Sequence, residues 1–212
     1  MTAEKPALRG VLHAVAFVIS CVVGAAFVAA APAAHSLAAA VFATSASVML
    51  GTSALYHLVT WSPARRLWMR RADHAGVFLL IAGTYTPVAV ISLHGAWRTT
   101  VLGVVWSGAA VATLAKTCWV RSPKWLSVAI GIALGWVGVV ALPQLERSEG
   151  LTPIVLLSAG GVAYTAGALV YARRRPDPLP RVFGYHELFH ALTIVALACQ
   201  YVAVAVFVVG VG

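Results

Sequence analysis

The chain has 212 residues, of which 61% are hydrophobic and only 10% are charged, and it carries a formal net charge of +9. A soluble domain carries about a quarter charged residues. The composition therefore excludes one and predicts an all-α, polytopic membrane protein, a single bundle over residues 1–212. The basic excess invites a nucleic-acid partner, but the basic residues flank apolar runs, where the positive-inside bias puts them, so none is expected.

A membrane-spanning helix needs about 20 apolar residues. Seven runs qualify, at about 10–30, 37–60, 72–93, 99–117, 125–142, 153–172 and 185–210. Pro63, Pro123, Pro143, Pro176, Pro178 and Pro180 punctuate the connections. The first run follows Lys5 and Arg9 and precedes an Ala-rich stretch near Pro32, as a cleavable signal would. Its apolar core is longer than the roughly 7–15 residues usual for that role, so it is read as a retained span.

Orientation follows from Lys and Arg. Alternate connections place thirteen of them on one side, in the amino-terminal tail and after the second, fourth and sixth spans. Only Arg98 and Arg147 fall on the other, beside Glu146 and Glu149. A cytoplasmic amino terminus and an outside carboxyl terminus are expected. Cys21, Cys118 and Cys199 sit in three separate runs and read as small buried hydrophobes, not as a disulfide framework. The seven tryptophans, mostly near span ends, read as an aromatic belt.

Ionisable groups within a span are costly, and by default they mark function. The second span ends with Ser53 and His57, four apart and so on one helix face. The third opens with Asp73 and His74, which point about 100° apart and cannot both face one point. The seventh opens with Tyr185-His186-Glu187-Leu188-Phe189-His190, whose two histidines share a face. Alternating topology carries all three segments to one depth near the cytoplasmic boundary. Histidines that merely meet head groups would not converge in this way. Three neutral imidazoles with an open fourth position make a catalytic zinc site. A carboxylate nearby would hold and deprotonate the attacking water. His13, at the inner end of the first span, is a weaker supporting candidate. His35 and His94 belong to the outer side and are excluded.

Together these residues resemble the hemolysin III family, the bacterial branch of the progestin and adipoQ receptor superfamily. The resemblance covers nearly the whole chain. Its carriers are Ser53-x-x-x-His57, Asp73-His74 leading into Phe78–Pro87, and His186-Glu187-Leu188-Phe189-His190. It implies a seven-helix bundle in the bacterial plasma membrane with a buried zinc near the cytoplasmic face. His57, His186 and His190 would bind the zinc, Asp73 would hold the water, and Ser53 would hydrogen-bond nearby. It also implies lipid hydrolysis, cytolysis and membrane-lipid homeostasis. Two features depart from the pattern. Leu8-Arg9-Gly10-Val11-Leu12-His13 replaces an acidic, Asn-containing amino-terminal motif, and Cys199-Gln200-Tyr201 stands where a late histidine is common.

The expected function is zinc-dependent hydrolysis of a lipid amide or ester within the membrane, with Asp73 as general base and Ser53 positioning water or steadying the oxyanion. Two alternatives come from other classes. One is a membrane sensor or receptor with structural zinc and a lipid-like ligand. The other takes H-E-x-x-H literally, as an intramembrane metalloprotease with Glu187 as base. A lytic pore fits poorly, because few charged residues line any span. The partner expected is a membrane lipid; no protein partner is indicated.

Overall fold

A computed structural model describes residues 6–119 and 122–210. Among these, seven helical stretches are long and apolar enough to cross a bilayer, and no named strand occurs. The protein is a multi-pass integral membrane protein. Helix α1 is Val11–Ala30, α2 is Ser36–Leu58, and α3 is Pro63–Pro87. The third crossing runs on from α3 as a π-helical turn, Val88–Ser92. Pro87 has no N–H for the carbonyl four residues back, and the ladder widens there. Helix α4 is Gly95–Cys118. The fifth crossing is α5, Lys124–Gly135, a 3-10 turn Val137–Ala141, and α6, Leu142–Glu149. Helix α7 is Leu151–Arg173. Helix α8, Tyr185–Val202, is extended by a π-helical turn at Ala203–Val208.

Two boundaries differ from the sequence reading. The third helix begins at Pro63, not near residue 72, so Arg65, Arg66, Arg70 and Arg71 are helical instead of lying in a loop. Hydropathy marks where a helix enters lipid. The helix itself starts where Pro63 supplies a preset φ at its first position. The fifth crossing is not one helix. It breaks after Gly135 and restarts with Pro143 in the first turn of α6. Tyr85 of α3 splices the break: its hydroxyl donates to Gly135 O at 2.6 Å and accepts from Gly138 N at 2.8 Å.

Without a hydrophobic drive between helices in lipid, close backbone approach through small residues holds the bundle. A Cβ at Gly83 of α3 would lie 2.0 Å from Ser45 Oγ of α2, and one at Gly160 of α7 would lie 3.0 Å from Ala196 O of α8. These contacts seat α3 on α2 and α8 on α7, and so fix the helices that carry Asp73, His57 and the histidine pair. Two apolar clusters fill the rest. One is built around Phe27, Phe42, Leu50 and Val204, the other around Phe78, Val101, Val105 and Leu134.

Candidate metal centre

His57 ends α2, and His186 and His190 occupy the first two turns of α8. All three are buried, and they offer ring nitrogens within 4.8 Å of one another. His186 Nε2 and His57 Nε2 are 3.1 Å apart. The start of α8 is fixed by its own loop. Gly184 N–H donates to Glu187 Oε2 at 2.9 Å and Tyr185 N–H to Asp177 Oδ1 at 2.7 Å. These acceptors satisfy amide donors that a helix start leaves without partners.

Asp73 and Ser53 reach the same place from α3 and α2. Both line an internal cavity of about 190 Å³ together with His186 and His190. Ser53 is the side-chain hydrogen-bond partner of Asp73. His74 lines this cavity as well, with Nδ1 against Arg70 O at 2.7 Å. Asp73 and His74 point in different directions, and both line the wall of this cavity. Its far end is formed by Tyr85, Trp136, Tyr164, Thr165 and Gln200. Trp136 stands at the break in the fifth crossing and donates to Thr165 Oγ1 at 3.1 Å, so it is a cavity residue and not part of a belt.

The segment before α1 packs against the histidine site, to an extent the sequence did not reveal. Ala7 N–H and Leu8 N–H donate to Arg181 O and Val182 O of the loop before α8. The Arg9 guanidinium donates to Glu187, which is 1% exposed. Gly10, at φ +86°, packs so close that a Cβ there would stand 2.7 Å from His57 Cβ. His13 stacks on His190, with ring centroids 3.7 Å apart and planes 7° from parallel. One short strap thus packs on His57, stacks on His190 and pairs with Glu187, the neighbour of His186. His13 therefore meets the histidine cluster through a ring stack on His190. Glu187 holds the strap and the helix cap with its two oxygens. His35 and His94 lie elsewhere. His35 precedes α2, roughly 33 Å along that helix from His57 at its rise per residue.

The donor chemistry suits a cation. A neutral imidazole presents one N–H and one lone pair, so three facing nitrogens cannot all satisfy one another. A metal ion would accept all three lone pairs. Ligand bonds of roughly 2.0–2.1 Å in tetrahedral geometry put ligand nitrogens roughly 3.3 Å apart, close to the separation seen for His57 and His186. No cysteine competes: Cys21 and Cys118 are exposed, and Cys199 is half-buried away from the triad. The triad can therefore hold a metal ion, and imidazoles accept several transition metals.

The family profile described as Haemolysin-III related matches residues 1–201. The chain belongs to the haemolysin III-related family. A hemolysin-3 homolog of Bacillus subtilis (strain 168) is 27% identical over 169 residues, covering 80% of this chain and 76% of its own length. Hemolysin-3 of Bacillus cereus is 36% identical over a shorter stretch, 47% of this chain and 45% of its own. The heptahelical transmembrane protein ADIPOR2 of Oryza sativa subsp. japonica is 33% identical over 78% of this chain and 80% of its own length. The family spans bacteria and plants, and seven apolar crossings are what the plant name describes. Its bacterial members place this chain in the plasma membrane.

Proposed function

We propose that the protein is a zinc-dependent hydrolase of lipid amide or ester bonds, working from inside the bilayer with its metal end on the cytoplasmic side. One observation carries the reading: two histidines of the triad, His186 and His190, the Asp73 carboxylate and the Ser53 hydroxyl, from three helices, line one apolar cavity large enough for far more than the roughly 10–15 Å³ of a single water, and His57 stands against His186. His57, His186 and His190 would hold the zinc. When bound, zinc lowers the pKa of water and polarises a carbonyl.

The chain's own groups then divide the work. Asp73 accepts the proton of the attacking water as its oxygen bonds to the carbonyl carbon. Ser53 holds the Asp73 carboxylate by its hydrogen bond. It then turns its hydroxyl toward the oxygen on which charge develops. As the C–N or C–O bond breaks, Asp73 returns the proton to the departing amine or alcohol. The apolar walls around Phe78, Ile81 and Phe189 keep the acyl chain in place and bulk water out. Glu187 suits the base role of a metalloprotease poorly, because Arg9 and Gly184 N–H already occupy its oxygens.

Asp73→Asn tests this. The variant should keep its metal and lose at least about a hundredfold in turnover of amide- and ester-linked lipids, the lower range for removing a general base. Full hydrolysis by the variant would overturn the mechanism. Wild-type protein that holds zinc and turns over neither class would point instead to a sensor with structural zinc.

A further inference from the structure

The end of the bundle that carries the histidines also carries cations for which the hydrolytic scheme has no use. Lys116 lies in the last turn of α4 and Lys124 opens α5. The turn between them brings Ser122 back, so that Lys116 Nζ donates to Ser122 Oγ at 2.5 Å. Arg70 of α3 is within electrostatic reach of both lysines. His74, one turn along α3, is within reach of all three. Lys124 Nζ lies 4.4 Å over the ring of Tyr171. Tyr171 and His74 are wall residues of the cavity that Asp73 and Ser53 line. Three cations from three helices therefore gather at the metal end of that cavity.

The positive-inside bias explains exposed arginines in membrane-flanking turns. It does not explain Lys116. An ammonium that extends to water needs no partner, but Lys116 is only 8% exposed and its partner Ser122 is neutral. Among the described residues the ion pairs are Arg9–Glu187 and His74–Asp73, and neither includes Lys116, Lys124 or Arg70. Asp73 lies within reach of Arg70, and among the described residues no other carboxylate stands beside the three cations. Asp177 is taken up by Tyr185 N–H, and Glu146 and Glu149 belong to the opposite end of the bundle. A buried ammonium among other cations calls for an anion.

We propose that Lys116, Lys124 and Arg70 seat an anionic head group, and that the lipid entering the cavity carries a phosphate or carboxylate held there while its chain runs inward past His74. The assignment names the substrate class of the proposed hydrolase and rests on the reading that the cavity takes a lipid. Lys and Arg donate charge-assisted hydrogen bonds to such oxygens, and Ser122 adds a neutral donor. The cation cluster would set which lipids are taken, while the metal and Asp73 would set the chemistry.

The test uses the full chain in nanodiscs of zwitterionic lipid. Displacement of a fluorescent fatty-chain probe is measured with lysophosphatidic acid, with lysophosphatidylcholine of the same chain, and with inorganic phosphate. The anionic lipid should displace the probe at concentrations at least about tenfold lower than the zwitterionic one, and phosphate alone should fail at those concentrations. Lys116→Gln should abolish the preference and Lys116→Arg should retain it, with thermal melting confirming that both are folded. Equal displacement by the two lipids would overturn the proposal. A full preference in folded Lys116→Gln would do the same. Displacement by inorganic phosphate at the concentration of the anionic lipid would assign the seat to a free anion instead. Displacement needs no turnover, so the two readings fail separately: preference without hydrolysis sinks only the hydrolase, and hydrolysis without preference sinks only the seat.

Discussion

Gly10→Ala is the sharpest perturbation of the metal centre that leaves every proposed ligand in place. Gly10 has φ +86°, and a Cβ there would meet His57 Cβ at 2.7 Å. The backbone strain of an L-residue in this region costs about 1–2 kcal/mol. Overpacking adds about 1–3 kcal/mol, because Arg9 pinned to Glu187 on one side and α1 on the other leave little room to retreat. Because the clash is with the Cβ of His57 itself, relaxation that displaces this residue moves a ring nitrogen out of the triad. Disturbing the residues that orient a ligand typically costs about 10–100-fold in metal affinity, and that is the loss expected. The control is Gly95→Ala. Gly95 has φ +58° with nothing within 4 Å of its Cβ position, so it feels the backbone strain without the clash. Chelator competition on purified proteins, read by cobalt absorption and by thermal melting, separates the two effects. Gly95→Ala should melt lower with unchanged metal affinity, and Gly10→Ala should lose both. Wild-type metal affinity in Gly10→Ala would refute the claim that the strap braces His57.

Purified wild-type protein should carry about one metal ion per chain, and His190→Ala should carry none when measured by elemental analysis; metal retained in the variant would remove His190 from the ligand set. Glu187→Gln leaves Arg9, itself half-buried, with a neutral partner, and losing this charge-assisted pair costs about 1–3 kcal/mol. Its melting temperature should fall sharply while the protein that remains folded keeps turnover, which a base role for Glu187 would not allow. Gly160→Val puts two methyls where even a Cβ would lie 3.0 Å from Ala196 O, so α8 must shift along α7 and metal content should fall with stability.

The triad was legible because helical spacing and alternating topology are both countable. His186 and His190 share a face by their spacing, and Lys and Arg counts put His57 and Asp73 at the same depth. The strap was not legible. Arg9 and Glu187 are 178 positions apart, and nothing local in Leu8–His13 announces a pairing across the whole chain. The break in the fifth crossing was hidden for the same reason. Its broken backbone groups are satisfied by a tyrosine hydroxyl 50 positions upstream, and an apolar run with glycines in it reads as continuous.

The cavity posed a harder problem, because glycine has two opposite uses in a membrane bundle. At Gly160 and Gly167 a missing side chain lets α7 approach α8 to van der Waals contact. At Gly131 and Gly135 of α5 a Cβ would meet nothing within 4 Å, and both residues line the cavity. Identical residues on similar apolar helices thus close one interface and open another. What separates them is the partner across the gap: Leu192 and Phe189 fill the space facing Gly167, whereas the space beside Gly131 belongs to the chamber that His186 and Asp73 also face. Small residues in a span therefore read as sites of close packing or of room for a ligand only once a neighbouring helix is placed. In this bundle the second use occurs on the crossing that is broken, where straight helix packing has already been given up.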